Sequence, residues 1–393
     1  MDRAARDAGA GPPTICQGIE MKPACISLMA ALLLSPALSG PKGGARAQAA
    51  PPEPRKPPEV GAAGGASSAK GVSVQVDPRI ELMTVIQLLA DYPVLTSLAS
   101  PYRADARAFF AAHAAHPAVT AFDTMSSAGF AFDAVPKAFA SMSPLPDLRL
   151  GHDVPPEAIE RAGGRPRLEA FAVSAAQFAQ ESDFAAFYRA HEGTYKALVD
   201  SALPHVHAAV GQLEAYLGAD FAAARVVLSP LLHDGGFAMR GTEPASQAFI
   251  GPVGLANGFP DFGGEERLGP LIWHEFAHTI VNTLTRQARA TVDSMEVVDA
   301  TFRDTMRRQA YGDWETIVSE SVIRALEVRL ATRTLGSEAG ARALARQVDR
   351  GFRHVPRLVE ALREYESDRS TYPTLAQFYL RLLRVFRNTR DAQ

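Results

Sequence analysis

The sequence predicts an α+β fold that is mostly helical, with a small β-sheet set just before one functional helix. Three observations lead there. Residues 271–282 contain His274-Glu275-Phe276-Ala277-His278 inside an amphipathic, helix-compatible run. Two short β-like stretches, 225–229 and 247–251, precede that run. The rest of the folded chain is rich in Ala, Leu, Arg and Glu, which are good helix formers, at helical spacing.

On a helix of about 3.6 residues per turn, residues four apart share a face, so both imidazoles can hold one metal ion with Glu275 beside them. Zinc suits such a pair, because it takes neutral nitrogen donors and keeps one position open where water is acidified. Glu275 is the expected general base, taking the proton of that water and delivering it to the leaving group. Trp273, Phe276, Ala277, Ile280 and Leu284 form the stripe that packs, while His274, His278 and Asn282 line the other face. The competing reading is coincidental spacing, which so amphipathic a setting disfavours. One Zn2+ per chain is expected, and two histidines leave it short of three protein ligands, so a later helix should supply another.

The 393 residues are 47% hydrophobic, enough for a sizeable core. A formal net charge of −3, and no Lys/Arg run interleaved with aromatics, argue against a nucleic-acid partner. Met21-Lys22 is followed by an apolar run at 24–34, with small residues at 37–39 and 47–49, as in a cleaved signal peptide. Residues 1–39 are therefore read as the signal, with Met21 the true start and cleavage after Ser39 or Ala49. The run is shorter than the roughly 20 residues that span a bilayer, so no stable membrane span is expected after cleavage, and the protein is expected in the periplasm or secreted. Cys16 and Cys25 both precede the cleavage points, which leaves no disulfide or thiolate site. Residues 40–72, rich in Pro, Gly, Ala and Ser, read as a disordered linker. Residues 73–390 then form one domain, with a helical lobe at 73–220 and a catalytic lobe at 221–390.

Within the helical lobe, 72–76 alternates like a strand and 78–89, 104–113 and 136–142 read as helices. Residues 116–119 and 126–133 read as loop, and 167–217 as helix interrupted near 182–183 and 203–204. In the catalytic lobe the two strands are joined by a loop through 233–236, and a second loop at 251–264 leads into the metal helix near Glu266. Helices follow at 294–309, 314–334, 338–365 and 375–386. A sheet edge above the metal would let an extended substrate add as another strand.

This order of helical lobe, short strands, His-Glu-Phe-Ala-His helix and a later glutamate resembles the zincin metallopeptidases, in their glutamate-liganded branch, the gluzincins. The metzincin pattern would need Gly at Val281 and His at Leu284. More closely, the chain resembles a bacterial family described as a domain of unknown function with a predicted metallopeptidase site. Residues 76–82, 116–119, 182–184, the metal helix with Asn282, and 320–325 carry that likeness, which spans most of 72–386. It implies a zincin-like fold and a metal-dependent hydrolase of unknown substrate.

Glu320 is the expected third ligand, because Ile317 and Ile323 turn it toward an apolar side and its distance from His278 matches the gluzincin order. Its competitors are Glu315, Asp293, Glu296, Asp299 and Asp304, and Arg324 offers an ordinary ion pair as the plainer explanation of Glu320. Gluzincins usually place an Asp four residues after the ligand Glu to orient a histidine, where this chain has Arg324. A carbonyl, Asn282, Asp293, Glu296 or Asp299 must then hold the free histidine nitrogens. Tyr311 is a candidate oxyanion donor, against a plain buried tyrosine. His233 is a weaker one, while His205 and His207, two apart, diverge on a helix. The expected function is an exported zinc peptidase acting on peptide or protein substrates. The alternatives are a non-catalytic zincin-fold binding protein and a zinc hydrolase of a non-peptide amide.

Overall fold

The computed structural model describes residues 67–387 apart from 70, 222, 241–244, 296–298 and 310. The stretch read as a signal peptide and most of that read as a linker therefore lie outside the described residues, as does Glu296. Strand β1 (Ser67–Ala69) pairs antiparallel with β2 (Val72–Gln75), so the sheet begins inside the stretch read as linker.

The helical lobe starts at α1 (Pro78–Leu89), where Asp77 caps the first turn by accepting from the Arg79 N–H at 2.9 Å and proline fills the first helical position. The same cap followed by proline opens α2 (Pro101–Phe110), extended by a 3-10 turn to His113, and α3 (Pro117–Ser127). Helix α3 corrects the reading of 117–119 and 126–127 as loop. His116 Nδ1 accepts from the Ala118 N–H at 3.1 Å, an imidazole doing the work of a Ser or Asp cap. The lobe continues through α4 (Ala134–Ala140), α5 (Pro156–Arg161), α6 (Arg165–Glu181), α7 (Phe184–Ala190) and α8 (Glu192–Leu217). The break at 182–183 is present. The one expected at 203–204 is not, because α8 runs through Pro204 and buries Tyr195, Leu198, Val206 and Leu213 on both sides of it. That packing outweighs the one backbone bond a proline removes.

The main sheet gains β3 (Ala223–Leu228), β4 (Gly236–Arg240) and β5 (Ala245–Ile250), in the order β1-β2-β3-β5-β4. Strands β2, β3 and β5 are parallel, and β4 lies antiparallel on the outer edge. The connection read as loop through 233–236 therefore delivers a strand at its end. A second loop, 251–264, contains a hairpin of β6 (Gly254–Ala256) and β7 (Phe259–Asp261), turned by Asn257 and Gly258 with φ of 51° and 82°.

Helix α9 (Glu265–Gln287) carries the His-Glu-x-x-His run. After it come α10 (Arg289–Asp293), α11 (Ala300–Arg307), α12 (Trp314–Thr334), α13 (Ser337–Asp349), α14 (Val355–Ser367) and α15 (Leu375–Leu382), which ends in a 3-10 turn. The helices expected over 294–309 and 338–365 are thus differently bounded and divided. The second breaks where Gly351 takes φ 85°, a conformation that stops a helix. No helix among the described residues is long and apolar enough to cross a membrane.

Helix α9 is packed between α8 and α12. Its Trp273 is fully buried and donates its indole N–H to the Ala209 carbonyl of α8 at 3.1 Å. On the α12 side the Ser319 hydroxyl donates to Thr285 at 2.9 Å. Both neighbours hold α9 through its apolar stripe, so the opposite face is left for chemistry.

Acid should loosen the C-terminal helices. Burial first, then Arg353 and Arg357, push the His354 imidazole down to about 4. The unfolded chain then binds the proton more readily than the folded one between about pH 6.5 and 4, so stability present above 6.5 is lost as pH falls through that window. At pH 5 the loss is on the order of 1 kcal/mol after allowance for the ring's partial exposure. Thermal melts at pH 7 and pH 5 should separate by more for the native chain than for His354→Gln. Equal separations would remove His354 as the cause.

Candidate metal centre

Residues four apart on α9 bring the two imidazoles together, with Nε2 of His274 and Nε2 of His278 3.1 Å apart. Glu320, one element across on α12, completes the group. Its Oε1 is 3.8 Å from His274 Nε2 and its Oε2 is 3.6 Å from His278 Nε2. Two donors across a tetrahedral ion with bonds near 2.0–2.1 Å stand about 3.3 Å apart. The three separations bracket that value, so this set can hold one metal ion. Glu320 is 3% exposed, and the apolar flank expected from Ile317 and Ile323 is real, both being buried.

The competing acids are spent elsewhere. Asp293 lies 3.6 Å from Arg289 on its own helix. Asp299 caps α11 and binds Arg353 at 2.5 Å, and Asp304 binds Arg307 at 2.7 Å. Glu315 sits in the first turn of α12, where Tyr379 feels its charge.

The ion pair between Glu320 and Arg324 also exists, at 2.6 Å, and it is largely buried. Arg324 spans two acids, because its Nη1 also lies 3.3 Å from Oε1 of Glu327. Glu327 was missed in the sequence. Its Oε1 stands 2.5 Å from His274 Nδ1, although the approach is oblique to the ring N–H. It thus stands where it can orient the His274 ring, seven residues after Glu320 on the same helix. The signal was available, since 320, 324 and 327 share one face at i, i+4 and i+7. For His278, Asn282 is the one of the several candidates that stands beside the ring, its Oδ1 3.5 Å from Nδ1.

These neighbours set the charge states. Burial opposes charge on Glu320, but Arg324, His274 and His278 hold its carboxyl well below the usual range. Burial, then His274, pushes His278 down to about 4, which leaves a neutral imidazole fit to bind metal. Burial and Arg324 oppose the charge of His274, yet Glu320 and Glu327 outweigh them and raise it. Glu275 is 6% exposed, and burial pushes its carboxyl up to about 7. It stands against β4, where a side chain at Gly236 would come 3.2 Å from Glu275 Oε1 and 2.9 Å from Ile250. Glycine there lets the edge strand lie close to Glu275.

Tyr311 donates its hydroxyl to Glu320 Oε1 at 3.0 Å. His233, in the loop before β4, accepts the Gly235 N–H at 2.9 Å through Nδ1 and meets Phe237 edge-on. It is not one of the clustered metal donors. The Tyr311 contact yields an expectation. Tyr311→Phe should weaken zinc binding about threefold to tenfold through loss of one hydrogen bond to a ligand, while turnover of the loaded protein changes little. Competitive chelator titration and kinetics at saturating zinc separate this from a role at the oxyanion, where turnover would fall and zinc affinity would hold.

The family described as a domain of unknown function (DUF4932) matches residues 72–385. No curated protein and no solved structure matches the chain.

Proposed function

This chain belongs to the DUF4932 family, and we propose that it is an exported zinc-dependent peptidase in which His274, His278 and Glu320 hold the ion and Glu275 is the general base. The observation that carries the reading is Glu275 itself. It is buried, at 6% exposure, beside three side chains that can hold a metal ion and is not one of them. Burying an acid without a partner costs stability, and a protein that only binds metal has no use for that cost.

Zinc in this site would supply Lewis-acid polarisation of the scissile carbonyl and of the attacking water. Glu275 takes the water's proton as the oxygen adds to the carbonyl carbon, then returns a proton to the departing nitrogen as the C–N bond breaks. Glu327 and Asn282 fix the ring planes of His274 and His278, and Arg324 with Tyr311 holds the Glu320 carboxylate through Oε1, leaving Oε2 free of both, 3.6 Å from His278 Nε2. The free edge of β4 runs beside Glu275 and can take an extended peptide as a sixth strand of the sheet. The zincin-like likeness of the sequence and the signal-like N-terminus support the same reading.

The test is digestion of a mixed peptide pool by the purified full chain, read by mass spectrometry. Cleavage should require zinc, stop with a chelator and return when zinc is added back. Peptides left intact under zinc saturation would refute the peptidase reading.

A further inference from the structure

A groove of about 500 Å³ leads away from the metal donors. Its floor is α9 from His278 through Asn282 to Arg286, one wall is Met239 of β4, and the other is Lys137 of α4 with the turn at 152–157. The sheet edge and the groove are continuous, since Gly236 lies against Glu275 and Met239, three residues on, lines the groove. Strand β4 and helix α9 therefore lead away from the base in the same direction.

That direction orients an occupant. A peptide added antiparallel to β4, the more stable pairing, points its amino end toward Arg286. Eight residues of helix separate His278 from Arg286, about 12 Å, which an extended chain covers in three to four residues at about 3.4 Å each. The charges along the groove are not equivalent. Lys137 is committed, its Nζ lying 2.6 Å from Asp133 and 3.6 Å from Glu157. Arg286 is exposed, and its guanidinium makes no ion pair among the described residues. Asp153, an acid without an ion pair among the described residues, stands on the opposite wall.

We propose that this groove binds the substrate on the amino side of the cleaved bond and that Arg286 selects an acidic side chain three or four residues before it. The proposal rests on the peptidase reading for its catalytic consequence, but the groove's preference can be measured without turnover. In peptide-pool digests by the zinc-loaded full chain, Asp and Glu should be enriched at those two positions before each cut, and Arg286→Glu should replace them with Lys and Arg. In parallel, Glu275→Gln loaded with zinc should bind a fluorescent peptide carrying Glu at that position about threefold to tenfold more tightly than its Gln counterpart. The preference should vanish in the double variant with Arg286→Ala. Cleavage whose sequence preference is untouched by Arg286→Glu, or an acidic preference on the carboxyl side of the cut, overturns the proposal. If no peptide is cleaved, the peptidase reading fails and the binding measurement alone decides, with equal affinity for the Glu and Gln peptides overturning the groove assignment.

Discussion

Glu275→Gln should lower peptide hydrolysis by about two orders of magnitude or more while zinc content stays near one per chain. The change keeps the size of the side chain and its place under β4, and it removes only the capacity to take a proton. None of the three clustered donors is touched, because Glu275 is not among them. The amide is also easier to bury than a carboxylate, since burial already pushes the Glu275 carboxyl up to about 7. The variant should thus melt no lower than the native protein. Zinc by atomic absorption and turnover on one cleaved peptide are the two readings needed. Full activity with full zinc would end the general-base assignment, and loss of both together would mean that the residue holds the ion.

Glu320→Ala should cost more zinc affinity than any other single acid in the chain, while Glu315→Ala should bind zinc almost normally. Glu320 contributes an oxygen 3.6 Å from His278 Nε2, whereas Glu315 lies more than one turn earlier, near Tyr379. Removing Glu320 also takes from Arg324 the nearer of its two acids, at 2.6 Å, and leaves it Glu327 alone, so a loss of about 1–3 kcal/mol in stability should accompany the loss of zinc. Glu320→Gln separates the two effects, since it keeps an acceptor for Arg324 and Tyr311 and removes the charge. Glu327→Ala provides the scale. As an orienting partner it should cost about tenfold to a hundredfold in zinc affinity, and Glu320→Ala should exceed that. Competition against a fluorescent chelator measures all four variants, and a site that survives Glu320→Ala but not Glu315→Ala would move the ligand.

The helix that bears the chemistry was legible because several levels of the sequence agreed on it. Its apolar stripe, His274 and His278 four apart, and Glu275 between them all call for the same surface, and α9 presents it. Helix α12 was legible to the residue, with Asp313 accepting from Thr316 at its start. What escaped depends on partners distant in sequence. Strand β4 is five residues that open on a glycine, and only pairing with β5 makes it a strand. The role of Glu327 required knowing that α12 lies against α9, because a glutamate in a helix is ordinarily solvated. Helix α3 was hidden by a histidine cap, which propensity does not favour.

The parallel pairing of Val72 with Ala224 joins residues about 150 positions apart in the chain. Closing so large a loop is slow, and the β1–β2 pair gains no third strand until the helices of residues 78–217 have been made and the chain has turned back on itself. The two lobes are therefore not separable modules. A fragment beginning at residue 221 would keep every metal donor yet expose the side of β3 that β2 covers, and a bare inner strand of that kind recruits other chains. Aggregation, and not a smaller active enzyme, is what such a fragment should give.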